Sequence, residues 1–438
     1  MTDNLDPSSG TKNISNIADS TAVVTAEKSG PFAPLRIHAF RLLAVGTVCS
    51  YAAQWIQSVV VNWLVYDITG SGTILGTISV VASVFSLAML FVAGLLVDAF
   101  NRRKIMLIDS TAFLTLTLVL GLLLLSGHSS IIYLFVFACL YGAMETLDST
   151  VRQVLVFDLV PRHQTPNALA FIQTGWSIMR VAGPSLGGFL LVWFSAGGSF
   201  LVQAGICAVV LLTVLFIKLP PRTPEPIRTS PVQNIKEGLT YLFKEPVTRM
   251  FTLVGIIMPI LAVPIFTTLP PIYAVEVFHD NTGRVLGFLV AAVGVGGVIG
   301  GLITPYLKKW DRWGVLQMVS IIMLSLMLIA FALSSNLALA LVVLVLAGFF
   351  EIIFITTNAT LIQLSIPDKL RGRVTAAVSL TWILSPLGNM LAGGGSDLIG
   401  PKYITIVLSA AAAVVTIVFL LFSPTIRNYR LSQNMSSK

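Results

Sequence analysis

Two glutamates lie deep inside long apolar stretches of this chain, where a carboxyl group can carry a proton. Glu145 lies about 15 residues into one stretch and Glu351 lies at the same depth of another, near the middle of a bilayer at about 1.5 Å per residue. Ionisable groups at that depth are costly and mark functional sites. We therefore expect the two acids to face each other as a proton-coupling pair. The alternative is that one or both are structural partners of an arginine or of backbone amides.

Arg180 also lies within an apolar stretch, with no acid in its own segment. Glu145 is the nearest acid at a plausible depth. Arg180 therefore either pairs with Glu145 or binds an anionic substrate. The two options have different consequences, because a permanently paired Glu145 would be a poor proton carrier.

Asp148 and Arg152 follow Glu145 on one helix face, and their i,i+4 spacing is that of an ion pair. Arg152 would lie toward the cytoplasmic end of its helix, within reach of Asp98 or Asp109. We expect these residues to form a gating network rather than to contact cargo.

Polar and aromatic residues of the first apolar run are candidates for lining a substrate cavity. Gln54 and Gln57 are three residues apart, which places them on one helix face, and Trp55, Asn62 and Trp63 lie nearby. Amides supply hydrogen bonds and tryptophan stacks on flat apolar molecules. The alternative is ordinary helix packing, with Trp63 at the membrane interface.

A polar hinge separates the second and third apolar runs. It contains Asp98 followed by the basic residues Arg102, Arg103 and Lys104. An acid at the end of one helix and three cations at the start of the next predict an electrostatic latch with two states. The alternative, a purely topological role for the cations, leaves Asp98 unexplained.

The composition explains why these charges are exceptional. The chain has 438 residues, of which 55% are hydrophobic and only 11% are charged, and its mean hydropathy is +0.89. Soluble domains carry about 25% charged residues, so a polytopic membrane protein is the expected class. The runs long enough to span a bilayer are 40–67, 72–98, 104–127, 130–156, 166–193, 199–218, 248–274, 283–306, 314–333, 337–364, 372–397 and 402–423.

The distribution of Lys and Arg predicts the orientation of these twelve spans. With the N-terminus inside, all of the 27 basic residues except Arg152, Arg180, Arg284 and Lys402 lie in cytoplasmic segments or at helix ends on that side. Both termini are therefore expected in the cytoplasm. The expected location of the protein is the plasma membrane, which is the inner membrane of a bacterium.

The second half of the sequence repeats the first. An offset of 206 residues (351 minus 145) aligns Leu140–Gly188 with Leu346–Gly394 and pairs Trp176 with Trp382. This predicts an all-α protein of two six-helix bundles related by a pseudo-two-fold axis. The expected segments are a disordered N-terminal tail (1–35), the first bundle (36–218), a cytoplasmic linker (219–247), the second bundle (248–425) and a C-terminal tail (426–438).

The hinge motif and a glycine motif carry a resemblance to the major facilitator superfamily. The stretch Gly94–Lys104 resembles the superfamily signature G-x-x-x-D-R/K-x-G-R-R/K-R/K, from which Ala99 and Asn101 depart. A second motif is similar to the G-P-x-x-G-G end of the helix-packing motif of the superfamily's antiporters, with Gly183, Pro184, Gly187 and Gly188 as its matching residues. The chain also resembles the superfamily's drug and siderophore exporter branch, which includes macrolide and enterobactin exporters.

The resemblance implies a secondary transporter that exports a small amphipathic molecule, such as a drug, siderophore or secondary metabolite, by alternating access with proton antiport. Proton-coupled uptake and a non-transporting membrane sensor are the alternatives. We expect a monomer in the lipid bilayer with a small-molecule substrate, no nucleic-acid partner and no cofactor, since the proton gradient supplies the energy. The sequence contains no G-x-x-x-x-G-K-[ST] phosphate loop for ATP, and neither catalytic nor metal-binding residues are predicted.

Overall fold

A computed structural model of the chain describes residues 32–161, 163–217, 231–309, 311–367, 370–427 and 429. Within these ranges the chain is almost entirely helical and contains no strand. Residues 1–31 of the predicted N-terminal tail, the Pro-rich start of the linker and most of the predicted C-terminal tail lie outside the described residues. The last residues of the predicted N-terminal tail belong to a short 3-10 helix, Ala33–Arg36.

Twelve long helices correspond to the twelve predicted spans and confirm the all-α architecture. The first of these helices is less apolar than the others, because it contains polar residues such as Gln54, Gln57, Asn62 and Asp67. The bounds are α1 His38–Thr69, α2 Gly72–Ala99, α3 Arg102–Leu125, α4 Ile131–Leu159, α5 and α6 as residues 165–194 and 196–216 of the continuous segment Thr165–Phe216, α7 Pro246–Val277, α8 Arg284–Ile303, α9 Trp313–Leu333, α10 Leu337–Ser365, α11 Gly372–Ile399 and α12 Pro401–Phe422.

Helices α5 and α6 are separated by a single residue with non-helical backbone angles. Ser195 has φ 59° and ψ 177°, a conformation that L-residues rarely adopt. The chain therefore turns within one residue, and helical hydrogen bonding resumes directly after it. The sequence predicted a longer connection, between residues 193 and 199.

The internal repeat appears in the helix bounds. Adding 206 to the bounds of α4, Ile131–Leu159, gives those of α10, Leu337–Ser365. The first six helices pack mainly with one another, as do the last six. The bundles meet mainly along two helix pairs, α2 with α11 and α5 with α8.

Glycines permit close contact along both of these interfaces. A Cβ atom on Gly72 of α2 would lie 2.5 Å from the Gly393 carbonyl oxygen of α11. A Cβ on Gly188 of α5 would lie 2.3 Å from the Gly287 Cα of α8. Small residues let membrane helices approach closely where no hydrophobic effect drives their association. All four glycines lie near the same helix ends, so the bundles touch most closely on one side of the membrane.

The start of α1 and the end of α12 lie on the same side of the membrane, the terminal side. The connection between α1 and α2 lies on the opposite side, the far side. A linker helix, Pro231–Lys244, lies on the terminal side against α10 and α11. There Arg373 pairs with Glu237, and the Tyr241 hydroxyl donates to the Ser365 carbonyl at 3.2 Å.

The glycine contacts make a matched stability test within α8. A Cβ on Gly296 would lie 1.9 Å from the Val345 carbonyl oxygen of α10, whereas a Cβ on Gly301 has no neighbour within 4 Å. Gly296→Ala should destabilise the protein by about 1–3 kcal/mol, because α8 and α10 must separate. Thermal unfolding in detergent measures this, with Gly301→Ala as the control. Equal melting temperatures for the two variants would contradict the close packing of α8 on α10.

Candidate functional site

A cavity of about 1380 Å³ lies between the two bundles. Residues from the terminal halves of several helices line it, for example Thr47 and Ser50 of α1 and Thr252 and Gly255 of α7. Helices α1, α3, α4 and α5 form one wall, and α7, α10 and α11 form the other. The cavity therefore extends from the membrane interior toward the terminal side.

Hydrogen bonds between the bundles close the far side. The Asp397 carboxylate of α11 receives four of them from the start of α2: from the Ser71 hydroxyl at 2.7 Å, the Gly72 amide at 2.7 Å, and the Thr73 amide and hydroxyl at 2.9 and 2.7 Å. The amide of Asn62 in α1 donates to the Thr267 carbonyl of α7 at 2.9 Å. A carboxylate at a helix N-terminus satisfies amides that have no partner within the helix. Asp397 thus joins the two bundles at the closed end.

Glu145 lines the large cavity from α4. Its carboxylate accepts a hydrogen bond from the Gln54 amide of α1, and the Tyr141 hydroxyl lies one turn away on the same helix. Among the described residues no cation pairs with Glu145. The carboxyl group is thus held by neutral partners at the cavity wall.

Asp148 and Arg152 form the ion pair that their spacing predicts. The Arg152 Nε donates to the two Asp148 oxygens at 2.8 and 2.7 Å, and Nη1 donates to the Thr47 hydroxyl at 3.3 Å. Asp109 of α3 lies in the same wall with its side chain 6% exposed, and its Oδ1 atom accepts no hydrogen bond. Asp109 thus lies in the same cavity wall as this ion pair, and a gating role for the three residues stays a prediction.

Arg180 pairs with Glu351, not with Glu145. The Arg180 Nη2 donates to the Glu351 Oε1, which links α5 of the first bundle to α10 of the second. The expectation of a Glu145 partner was wrong because it relied on neighbouring helices within one bundle. The interface between the bundles instead brings α10 beside α5. Because Glu351 already neutralises Arg180, no substrate anion is needed to balance the charge of this arginine.

The two glutamates line different cavities, so the expected facing pair is also wrong. Glu351 and Arg180 line a second cavity of about 140 Å³ on the far side of the first. Tryptophans lie between the two: Trp176 lines the large cavity, Trp55 the small one and Trp382 both. The Trp55 and Trp176 rings are 6.3 Å apart, and the Arg180 guanidinium lies 5.8 Å from the Trp176 ring centre.

The candidates on α1 divide between the cavities and the bundle interior. Gln54 lines the large cavity, and Trp55 and Asn62 line the small one. Gln57 was expected beside Gln54 but is only 4% exposed and accepts a hydrogen bond from the Gln203 amide of α6 at 2.9 Å. Three residues leave an offset of about 60° around a helix, which turns Gln57 toward α6. Trp63 is buried as well, so it packs inside the protein rather than facing the lipid headgroups.

The basic residues of the hinge are held within the first bundle. Arg102 pairs with Asp158 of α4, and the Arg103 Nη2 donates to the Leu215 carbonyl near the end of α6 at 2.6 Å. Lys104 is exposed. The side chain of Asp98 lies outside the described residues, so the latch stays a prediction.

The glycine motif of α5 lies on two helix contacts. A Cβ on Gly183 would lie 2.4 Å from the Trp55 Cβ of α1, and one on Gly187 would lie 3.0 Å from the Ile56 carbonyl oxygen. Gly188 contacts Gly287 of α8, and Pro184 lines the small cavity. The motif therefore places α5 against its own bundle and against the other.

Sequence reasoning assigned Trp55 to the site but not Asp158, Asp397, Trp176 or Trp382. For Trp176 and Trp382 a signal existed, because the internal repeat pairs them. Asp397 lies at the end of an apolar run. The neighbouring residues in the sequence do not indicate whether its side chain contacts the other bundle or simply ends the helix.

Comparison with known proteins agrees with this architecture. The sequence model of the Major Facilitator Superfamily matches residues 43–388. The chain is 24% identical to the staphyloferrin A transporter of Staphylococcus aureus (84% of this chain, 92% of the relative), and 25% identical to the multidrug efflux pump Tap of Mycolicibacterium fortuitum (91% and 98%). It is 24% identical to the enterobactin exporter EntS of Citrobacter koseri (78% and 81%).

Solved structures show the same fold at low sequence identity. The nucleoside transporter NupG superimposes with a TM-score of 0.71 at 11% identity, covering 87% of this chain and 99% of that one. A bacterial homologue of the lysosomal transporter Spinster, solved in an inward-facing and unoccupied conformation, gives 0.66 at 17% identity, covering 92% and 98%.

The Arg180–Glu351 pair can be tested by a double-mutant cycle. Arg180→Gln or Glu351→Gln alone leaves one charge without its partner in a membrane interior and should cost about 3–5 kcal/mol. The double variant should cost much less than the sum, because no charge remains. Thermal unfolding in detergent measures all four proteins. Additive losses would mean that the two side chains do not interact in the folded protein.

Proposed function

Because this chain belongs to the Major Facilitator Superfamily, we propose that it exports a small amphipathic molecule by alternating access, in exchange for protons. Membership and the transporters among its relatives establish a membrane transporter rather than an enzyme. The proposal rests mainly on one observation. A cavity large enough for a drug-sized molecule extends to one side of the membrane and has an acid without a cationic partner in its wall.

The contacts on the far side support alternating access. Between α2 and α11 they consist of hydrogen bonds and a close glycine contact, and between α1 and α7 of a hydrogen bond. Contacts of this kind can separate without unfolding either bundle. Rocking of two rigid bundles around a central site would break them and bring the terminal ends together. In that movement the Asp98–Lys104 hinge would act as the latch of the opposite state.

The orientation follows from the positive-inside rule. With both termini in the cytoplasm, the large cavity opens to the cytoplasm and the far side faces outward. A molecule from the cytoplasm then has direct access to the cavity, as export requires. The membrane is the bacterial plasma membrane in this proposal, and each six-helix bundle, 36–218 and 248–425, moves as one domain.

Glu145 is the proposed proton carrier. Its carboxylate contacts Gln54, a neutral partner, in a cavity that is accessible from one side. Protonation there breaks no ion pair, so the group can bind and release a proton as the cavity changes sides. Glu351, the second predicted carrier, would first have to leave Arg180. We therefore assign the Arg180–Glu351 pair to the coupling of bundle movement, and Glu145 to the proton.

The relatives support export over uptake. Two of them are named as an efflux pump and an exporter, and the glycine motif Gly183–Gly188 resembles that of antiporters. The cavity between the two bundles of one chain is complete, so a monomer suffices. The proton gradient supplies the energy, and no cofactor is part of the proposal.

Replacing Glu145 tests the proton assignment. Glu145→Gln keeps the side-chain size and its contact with Gln54 but cannot exchange a proton. Proton-driven efflux in proteoliposomes should fall at least about a hundredfold, the scale on which acid–base groups contribute, while passive exchange continues. Asp67→Asn, an exposed residue outside both cavities, is the control. Undiminished proton-driven efflux in the glutamine variant would remove Glu145 from the mechanism.

Replacing Asp397 tests the far-side closure. Asp397→Asn removes the charge that strengthens four hydrogen bonds to the start of α2. Because Asp397 is exposed, water screens this charge and the loss should be about 1 kcal/mol. The population should shift toward states that are open on the far side. Electron-spin distance measurements between labels on the far-side ends of α2 and α11 would report a longer mean distance, again with Asp67→Asn as the control. An unchanged distribution would show that other contacts hold that side closed.

A further inference from the structure

The charges of the large cavity are distributed unequally between its walls. Its charged lining residues, among those the structure describes, are Asp109, Glu145, Asp148 and Arg152. All four belong to the first bundle. The wall formed by α7, α10 and α11 contributes amides, hydroxyls and apolar groups, such as Asn358, Thr375 and Phe354.

The cations near the cavity already have anionic partners. Arg152 is held by Asp148, and Arg180 is held by Glu351 beyond the tryptophan layer. Each guanidinium charge is thus balanced by a carboxylate, while the buried Arg152 Nη2 atom donates no hydrogen bond. By contrast, Glu145 and Asp109 form no ion pair with any described residue, so two carboxyl groups of the acidic wall have no cationic partner.

Asp109 gives an independent reason to expect a positively charged ligand. Its side chain is only 6% exposed, yet the Oδ1 atom accepts no hydrogen bond, and the residue lines the cavity. A buried carboxylate oxygen without a partner is costly. A cationic group in the cavity beside Asp109 would stabilise the charged form of this carboxyl group. No group of acids with metal-like geometry occurs among the described residues, so an organic cation fits better than a metal ion.

Aromatic side chains complete the site for a hydrophobic cation. They come from both walls and are Tyr51, Phe113, Tyr141, Trp176, Phe354 and Trp382. Faces of aromatic rings attract cations, most strongly away from water, and their area also accepts an apolar body. The same rings would repel a compact polyanion, which needs hydrogen-bond donors and cations.

Building on the proposed export function, we propose that the cargo is a hydrophobic molecule with a cationic group, such as a lipophilic amine, rather than a polycarboxylate or other anion. The cationic group lies against the acidic wall of the first bundle, at Asp109 and Glu145. The uncharged body lies against the tryptophans and the neutral wall of the second bundle. Cargo selection thus depends mainly on the first bundle.

Two probe ions of similar size and opposite charge test this proposal. Tetraphenylphosphonium and tetraphenylborate are measured by equilibrium dialysis against the full chain in lipid nanodiscs, with binding to empty nanodiscs subtracted. The phosphonium should bind at least about tenfold more tightly, a difference of about 1.4 kcal/mol. Asp109→Asn should weaken its binding by about the same factor, and Asp67→Asn should not change it.

A second variant keeps the test valid if Asp109→Asn does not fold. Ser379 is exposed and lies in the neutral wall. Ser379→Lys adds a positive charge there and should weaken phosphonium binding while strengthening borate binding. Equal binding of both ions, tighter binding of the borate, binding of neither ion, or indifference to both variants would overturn the proposal.

The outcome is separable from that of the export proposal, because dialysis requires no proton gradient. Phosphonium binding without proton-driven efflux would contradict antiport and leave the cation site intact. Proton-driven efflux of an anion without phosphonium binding would support antiport and contradict the cation site.

Discussion

The cavity exists because the two bundles are joined at one side of the membrane and separated at the other. The join depends on the Asp397 carboxylate, which binds the amides and hydroxyls at the start of α2. A helix N-terminus has amides without internal partners and a partial positive charge. A carboxylate from the opposite bundle satisfies both. Glycines at Gly72 and Gly393 allow the backbones to approach closely enough for these bonds.

Lipid imposes the second constraint, since it offers no water to charged groups. Both arginines in the membrane interior accordingly have carboxylate partners: Arg152 within its own helix and Arg180 across the bundle interface. The pairs differ in consequence. Breaking the first changes only the first bundle, whereas breaking the second also releases a link between the bundles. Glu145 and Asp109, which line the large cavity, form no ion pair with any described residue.

The internal repeat produces equivalent positions with different roles. Glu145 and Glu351 occupy the same position of α4 and α10, but one contacts a neutral amide beside a large cavity and the other an arginine beside a small one. The difference arises because Arg180 has no charged counterpart in α11, where the offset of 206 places Pro386. A symmetric scaffold thus acquires an acidic wall on one side and a neutral wall on the other.

The sequence by itself determined the twelve spans, the repeat and the Asp148–Arg152 pair, because hydropathy and helical spacing are local properties. It also identified Glu145, Glu351 and Arg180 as charges that require an explanation. Only the tertiary structure decided that Arg180 pairs with Glu351, that Gln57 faces α6 and that the two glutamates line separate cavities. These facts depend on how helices are rotated and which ones meet across the interface. The sequence of an apolar helix says little about its rotation or its neighbouring helices, because its lipid-facing and helix-facing surfaces are equally apolar.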